Sequence, residues 1–265
     1  MNLPVLTQQL VNLAKAVGKF IRDESKRFKS TDIEAKGLHD LVSYVDRTAE
    51  KMLLEEMRKL VPGSCFIAEE SGETESAEWR WIVDPLDGTT NFLHKIPLYS
   101  ISIALQQNGK TVIGLVYEVN LDECFYAWGK NHAYLNGNPI HVSECASVQD
   151  SLIATGFPYY DFSRLKPYMA FFEDLVRNTH GIRRLGSAAV DLAYVACGRF
   201  EAFYEYGLHP WDVAGGVFIV ECAGGKVTGF TGEEEVVFGK DILATNNLIH
   251  NEFLQKISQY FTPLV

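Results

Sequence analysis

The sequence predicts an α+β fold, with an antiparallel sheet and two long helices in its N-terminal half and a mixed sheet with helices in its C-terminal half. Three observations carry this. Apolar residues recur at helical spacing near the N-terminus and again over 43–60. Short apolar runs separated by turn signals occupy 99–135. Beyond about residue 150, strand-like and helix-like segments alternate, a pattern that favours sheet covered by helices. At 265 residues, two packed halves or one large layered domain are both allowed.

The elements follow in order. Val5, Leu6, Leu10, Leu13, Val17, Phe20 and Ile21 share one face of a helix ending before Ser30. A second helix runs from about Ser43 to Leu60, with Ala49, Met52, Leu53 and Met57 apolar, and Pro62-Gly63 closes it. Cys65–Ala68 and Trp79–Val83 are short apolar runs, each followed by acid, and read as buried strands. Strands at 99–106, 111–118, 123–128 and 133–135 form a meander, with turns at Asn108-Gly109 and 120–122 and a hairpin signal at Asn136-Gly137. Further strands are expected at 151–155, 181–184, 202–206, 225–228 and 242–245, and helices at 167–177, 187–196, 211–223 and 249–261.

A net charge of −10 argues against a broad nucleic-acid-binding face. It does not exclude an anionic substrate, because a bound cation reverses the local sign. Cys65, Cys124, Cys145, Cys197 and Cys222 form no CxxC pair and are odd in number, so reduced, mostly buried thiols are expected. No leader or long apolar run is evident, so the expected compartment is the cytoplasm, with no membrane partner.

The most informative segment is Trp81-Ile82-Val83-Asp84-Pro85-Leu86-Asp87-Gly88-Thr89-Thr90-Asn91-Phe92. Pro85 forces Asp84 into extended backbone at the end of a buried strand. Asp87 follows after a tight turn. Two carboxylates this close repel unless a cation or proton lies between them, and hard oxygen ligands suit magnesium. Gly88 permits a close backbone approach. If Thr89–Phe92 opens a short helix, its free N–H groups can face an anion. A lone DxxD is more often a turn and a helix cap. Glu69-Glu70 after the first strand and Asp212 in Pro210-Trp211-Asp212 stand at the ends of similar elements; each alone could be a solvated charge or a first-turn acid.

Together, Phe66-Ile67-Ala68-Glu69-Glu70-Ser71, the segment above and His209-Pro210-Trp211-Asp212-Val213-Ala214-Gly215-Gly216 resemble the inositol monophosphatase family of lithium-sensitive phosphatases, bacterial type. Order and spacing match from Lys36 to about Gly225. The resemblance implies an αβαβα layering and a single phosphatase domain with two closely packed halves, about 1–148 binding metal and about 149–265 binding substrate. It implies two to three Mg2+ ions. Glu69, Asp84 and the Leu86 carbonyl would hold the first, Asp84, Asp87 and Asp212 the second, and Glu69 would help with a third. Asp46, in Ser43-Tyr44-Val45-Asp46, and Thr89 would orient the attacking water. Gly88 and Thr89 N–H groups would hold phosphate. Asp87, Ala188, Glu205 and Asp212 would bind substrate, and Lys36 would lie near the mouth of the site. A homodimer is the implied assembly.

The expected reaction is in-line attack of water on a small phosphate monoester. Inositol 1-phosphate leads; a sugar bisphosphate, a nucleotide 3′-phosphate or histidinol phosphate are alternatives. The stretch Gly156-Phe157-Pro158 departs from the Gly-Ser of animal members and bears on that specificity. No phosphoenzyme is expected, since neither a C-x5-R loop nor the DxDx(T/V) spacing of aspartyl-phosphate enzymes occurs. The histidines show no HxH or HExxH pattern. Some bacterial relatives assist RNA processing and transcription, so nucleic acid or a transcription factor is a second class of partner, but Arg183-Arg184 and the scattered lysines form no basic stripe that would indicate it.

Overall fold

A computed structural model describes residues 1–27, 33–35, 41–130 and 132–261. The chain runs α1 (Leu3–Ser25), β1 (Ile33–Ala35), β2 (Leu41–Ser43), α2 (Tyr44–Leu60), β3 (Cys65–Ala68), β4 (Gly72–Glu73), β5 (Trp79–Asp87) and α3 (Thr89–Leu93). Then come β6 (Ser100–Gln107), β7 (Lys110–Glu118), β8 (Glu123–Trp128), β9 (Ala133–Leu135), β10 (Asn138–Ile140) and β11 (Leu152–Thr155). The remainder is α4 (Leu165–Asn178), β12 (Gly181–Arg183), α5 (Ala188–Ala196), β13 (Ala202–Tyr206), α6 (Pro210–Cys222), β14 (Lys226–Thr228), β15 (Asp241–Thr245) and α7 (His250–Phe261).

Eight strands form one sheet in the order β10-β9-β8-β7-β6-β5-β3-β4, antiparallel throughout except for the parallel β3–β5 pair. Five form a mixed sheet, β12-β11-β13-β15-β14. Alternation along the strands assigns the layers. Ile101, Ile103 and Leu105 of β6 and Ile113, Leu115 and Tyr117 of β7 pack with α1 and α2 on one face. Ala104 and Val116 point the other way, into the space filled by α5 and α6. In the second sheet, Phe203, Ile242 and Ala244 face α5 and α6, while Ala202, Tyr204 and Leu243 face α4 and α7. The result is the alternating helix–sheet–helix–sheet–helix stack that the family resemblance implied.

Most expected elements lie within a residue or two of their places. On α1 the buried stripe is Leu6, Leu10, Val11, Ala14, Val17 and Ile21, but Val5 is exposed. Asn136-Gly137 joins β9 to β10 with both residues at positive φ, as a tight hairpin requires. The short β1, β2 and β4 were not expected, being too brief to carry a pattern, and β10 is the second arm of the hairpin that Asn136-Gly137 signals. All five cysteines are free, Cys65 and Cys124 buried and the others half-buried. Among the described residues no helix is long and apolar enough to cross a membrane.

One difference matters for function. β5 does not end at Val83 but continues to Asp87 through a bulge: Asp84 pairs with Ser102 and Asp87 with Ser100, so three steps on β5 match two on β6. The slip reverses the alternation. Leu86 joins Trp81 and Val83 against α1 and α2, whereas Ile82, before the bulge, faces α6. Asp84 and Asp87, three residues apart, therefore share a face.

α6 is apolar all round from Val213 to Val220 and buried accordingly. It meets the first sheet almost backbone to backbone. A Cβ on Gly215 would lie 2.8 Å from the Ile103 carbonyl oxygen and 3.0 Å from that of Leu115. One on Gly114 of β7 would lie 2.5 Å from the Gly215 carbonyl oxygen. Gly215→Ala should therefore push α6 off the sheet and cost about 1–3 kcal/mol, the range for overpacking, measured by urea unfolding against wild type; unchanged stability would mean that this contact is looser than described.

Candidate active site

The site grows from the bulge in β5. Asp84 is buried, and its Oδ1 accepts the Leu86 N–H at 2.8 Å, which turns the backbone around Pro85. Gly88 follows at φ 95°, a left-handed value that favours glycine, and starts α3. A Cβ there would also crowd the carbonyl oxygens of Gly186 and Leu98, both at 3.2 Å. Thr89 Oγ1 lies 3.0 Å from Asp46 Oδ1 and 2.9 Å from the Leu86 carbonyl oxygen, so its single proton has two acceptors.

Asp46 is fixed from its own side. Ser43 caps α2, its N–H and Oγ both donating to Asp46 Oδ2 at 2.9 and 2.6 Å. One oxygen of Asp46 is thus committed to Ser43 and the other to Thr89. Burial holds this carboxyl above the usual range, only partly opposed by those bonds.

Asp212 arrives from the first turn of α6, where its Oδ2 accepts the His209 N–H at 2.6 Å. Oxygens of Asp84, Asp87 and Asp212 converge within 4.8 Å of one another. Glu69 follows β3, which lies parallel to β5. It lines the cleft with Asp84, and its Oε2 is a buried atom with no hydrogen-bond partner among the described residues. The loop that presents it is tied to α2, since the Glu70 N–H donates to Glu50 Oε2 at 2.8 Å.

These acids disfavour one another's charge. Burial, reinforced by neighbouring carboxylates, raises Glu69 and Asp84 well above ordinary values. Burial lifts Asp87 to about 6. Burial and then Asp87 lift Asp212 to about 7. An orphaned carboxylate oxygen beside three convergent aspartates is a donor set that fits a hard divalent cation.

The other wall of the cleft comes from α5 and β13. Asp87 Oδ2 accepts from Ser187 Oγ at 2.6 Å and from the Ala189 N–H at 2.8 Å. Ala188 lines the cleft between them. Glu205 is buried beside it, and Gly156 makes the room: a Cβ on Gly156 would lie 2.1 Å from the Glu205 oxygens. His209 and Trp211 stack at 4.6 Å along the rim, so Trp211 lines the site and is not simply core.

The model of the inositol monophosphatase family matches residues 2–261. This chain belongs to that family. It is 38% identical over 249 residues to the Thermotoga maritima "fructose-1,6-bisphosphatase/inositol-1-monophosphatase", covering 94% of both chains. It is 37% identical over 266 residues to the "Nus factor SuhB" of Pseudomonas aeruginosa, covering 97% of this chain and 98% of that one. The solved structure of the extragenic suppressor protein suhB from Bartonella henselae superposes with a TM-score of 0.90 at 37% identity, covering 96% of this chain and 99% of that one. The family's divalent-metal chemistry and the buried acidic cluster are compatible.

The residues expected from the inositol monophosphatase resemblance, Asp46, Glu69, Asp84, Leu86, Asp87, Gly88, Thr89, Ala188, Glu205 and Asp212, thus gather around one cleft, with Asp46 behind Thr89. Lys36 lies outside the described residues. Sequence reasoning passed over Glu50 and Asp191, and it took 183–188 only as a stretch bearing on substrate choice, with Arg183-Arg184 read as ordinary surface charge. Arg184 is not plain surface charge: it faces the cleft, hydrogen-bonds the Tyr159 hydroxyl, and its charge acts on Asp87, Glu205 and Asp191. Its position beside Gly186-Ser187 was the only available signal.

The raised carboxyls give a sign for stability. A group whose folded pKa lies above its unfolded value contributes fully at low pH and loses that contribution as pH rises through the folded pKa. In EDTA the melting temperature should fall as pH climbs from about 4 through about 7, the window set by Asp87 and Asp212. Saturating magnesium should flatten the decline, because cation binding displaces the protons. A metal-free melting temperature that rises across this window would contradict the clustering of these acids.

Proposed function

We propose that this protein is a magnesium-dependent phosphatase that hydrolyses a small phosphate monoester in the cytoplasm, with inositol 1-phosphate the leading substrate. The observation that carries the reading is the convergence of Asp84, Asp87 and Asp212 within 4.8 Å, with the unpartnered Glu69 oxygen beside them. Glu69, Asp84 and the Leu86 carbonyl on one side, and Asp84, Asp87 and Asp212 on the other, would hold the ions. Bound magnesium supplies charge neutralisation and Lewis acidity for phosphoryl transfer.

The chain's own residues do the rest. Gly88 and Thr89 at the start of α3 offer backbone N–H groups to the phosphate. Thr89 Oγ1, donating to Asp46, turns its lone pairs to the cleft and orients a water for in-line attack. As the water oxygen bonds to phosphorus and the ester P–O bond breaks, the water proton passes through Thr89 toward Asp46. Burial, which favours the protonated form of Asp46, suits it to that role. The leaving alkoxide takes its proton from solvent. Asp87, Ala188, Glu205 and Asp212 border the space for the alcohol.

Asp84→Asn should keep the fold and lower kcat roughly a thousandfold, because losing a metal ligand removes several kcal/mol of transition-state stabilisation. Phosphate release in a panel containing inositol 1-phosphate, fructose 1,6-bisphosphate, a nucleotide 3′-phosphate and histidinol phosphate reads the substrate, and lithium should inhibit the turnover. EDTA should abolish the activity and magnesium restore it. A folded Asp84→Asn protein with wild-type turnover would sink the reading, and so would activity indifferent to EDTA.

A further inference from the structure

Glu50 lies in the middle of α2, where a glutamate is ordinarily solvated, yet it is only 4% exposed. Val45, Ala49, Leu53 and Leu54 are buried on the same helix around it. A carboxylate in such company costs stability unless it is hydrogen-bonded. Its Oε2 is bonded, accepting the Glu70 N–H at 2.8 Å. Asp46 and Glu50 stand one helical turn apart, so their carboxylates leave the same face of α2. Asp46 goes to Thr89, and Glu50 goes to the residue that follows Glu69.

The place of that second bond gives it a consequence. β3 and β4 pair as far as Ala68 and Gly72, so Glu69, Glu70 and Ser71 are the tip of a hairpin. The Glu69 N–H still belongs to the sheet, donating to the Val83 carbonyl at 3.3 Å, on the strand that carries Asp84. The Glu70 N–H has left the ladder, and Glu50 takes it. The Glu69 side chain therefore hangs from the α-carbon between two anchored N–H groups, one held by β5 and one by α2. Arg47 offers a further link, 4.0 Å from the Glu70 carboxylate, but it is long and half-exposed, and such pairs contribute little. Asp84, Asp87 and Asp212 repel a fourth carboxylate brought beside them. A hairpin tip without its anchor would relieve that repulsion by turning Glu69 outward.

We infer that Glu50, which does not itself line the cleft, is a positioning residue: through the Glu70 backbone it holds Glu69 against the acidic cluster, and so raises the affinity of the site for the divalent cation that Glu69 binds. This rests on the metal-dependent reading above. Groups one step removed from a metal ligand commonly set its affinity by about tenfold or more.

Manganese is the probe, its binding followed by loss of the free-ion EPR signal, with no substrate and no turnover. Glu50→Asp keeps the charge but is one methylene short of the Glu70 N–H. Glu50→Gln gives up the charge but keeps an acceptor oxygen at the same reach. Glu50→Asp and Glu50→Ala should each raise the manganese dissociation constant about tenfold, and Glu50→Gln should stay close to wild type; the aspartate variant carries the test should the alanine variant not fold. In a Glu69→Gln protein, adding Glu50→Asp should weaken binding no further, since the effect runs through Glu69. A glutamine variant as weak as the aspartate variant, or weaker, assigns the effect to charge and overturns the proposal. Additive losses in the double variant overturn it too. So does a folded Glu50→Asp protein with wild-type manganese affinity and only a lower metal-free melting temperature, which leaves Glu50 a structural residue. A wild type that binds no manganese sinks the metal-dependent reading instead.

Discussion

Mutual repulsion among carboxylates brought out of water is the constraint around which this molecule is arranged. Asp84, Asp87 and Asp212 converge, with Glu69 against Asp84, although each raises the cost of ionising its neighbours. The hydrogen bonds that Asp84, Asp87 and Asp212 accept from Leu86, Ser187, Ala189 and His209 offset only part of that cost. The remainder is borne by structure whose stability is secured elsewhere: the strand hydrogen bonds that carry β5 through its bulge, the close seat of α6 on β6 and β7, and the parallel pairing of β3 with β5. A cluster held together against its own electrostatics is preorganised for a cation, since little rearrangement is left when one binds.

Asp87 ties this centre to the other wall. It leaves the bulge of β5 on the first sheet, and its carboxylate takes Ser187 Oγ and the Ala189 N–H at the start of α5. Ser187 is in turn 3.2 Å from Ser100 Oγ of β6. The first sheet and the helical layer between the sheets are thereby locked in register at the cleft. A shift of α5 would move Asp87, and with it the acidic cluster, so the geometry of the alcohol end is coupled to that of the phosphate end. On the opposite side α2 plays the matching part, with Asp46 holding Thr89 and Glu50, one turn later, holding the Glu70 backbone.

Much of this was legible in the sequence, for identifiable reasons. Long elements with strong periodicity, such as α1, α2 and the β6–β8 meander, announce themselves because burial is repeated many times along them. Of the three acidic motifs, the Asp84–Asp87 segment was legible by itself because Pro85, Gly88 and Thr89 restrict its backbone, whereas Glu69 and Asp212 were legible only through the family resemblance of the three motifs together. What could not be read was anything set by contact between distant segments. The bulge after Asp84 is a property of pairing with Ser100 and Ser102, and Pro85 alone suggested an ending instead. The tie from Asp87 to Ser187 Oγ and the Ala189 N–H spans about a hundred residues of chain, and no local pattern announces it. Arg184 had only its place beside Gly186-Ser187 to suggest that it faces a cleft and not bulk solvent.

Anomalous scattering from a crystal soaked in manganese, a hard cation that takes the same oxygen ligands as magnesium, tests the central claim most directly. Peaks bounded by Asp84, Asp87, Asp212 and Glu69, absent from the Asp84→Asn protein, are the expected result. A well-ordered crystal in saturating manganese with no peak among those four side chains would contradict a metal-binding cradle.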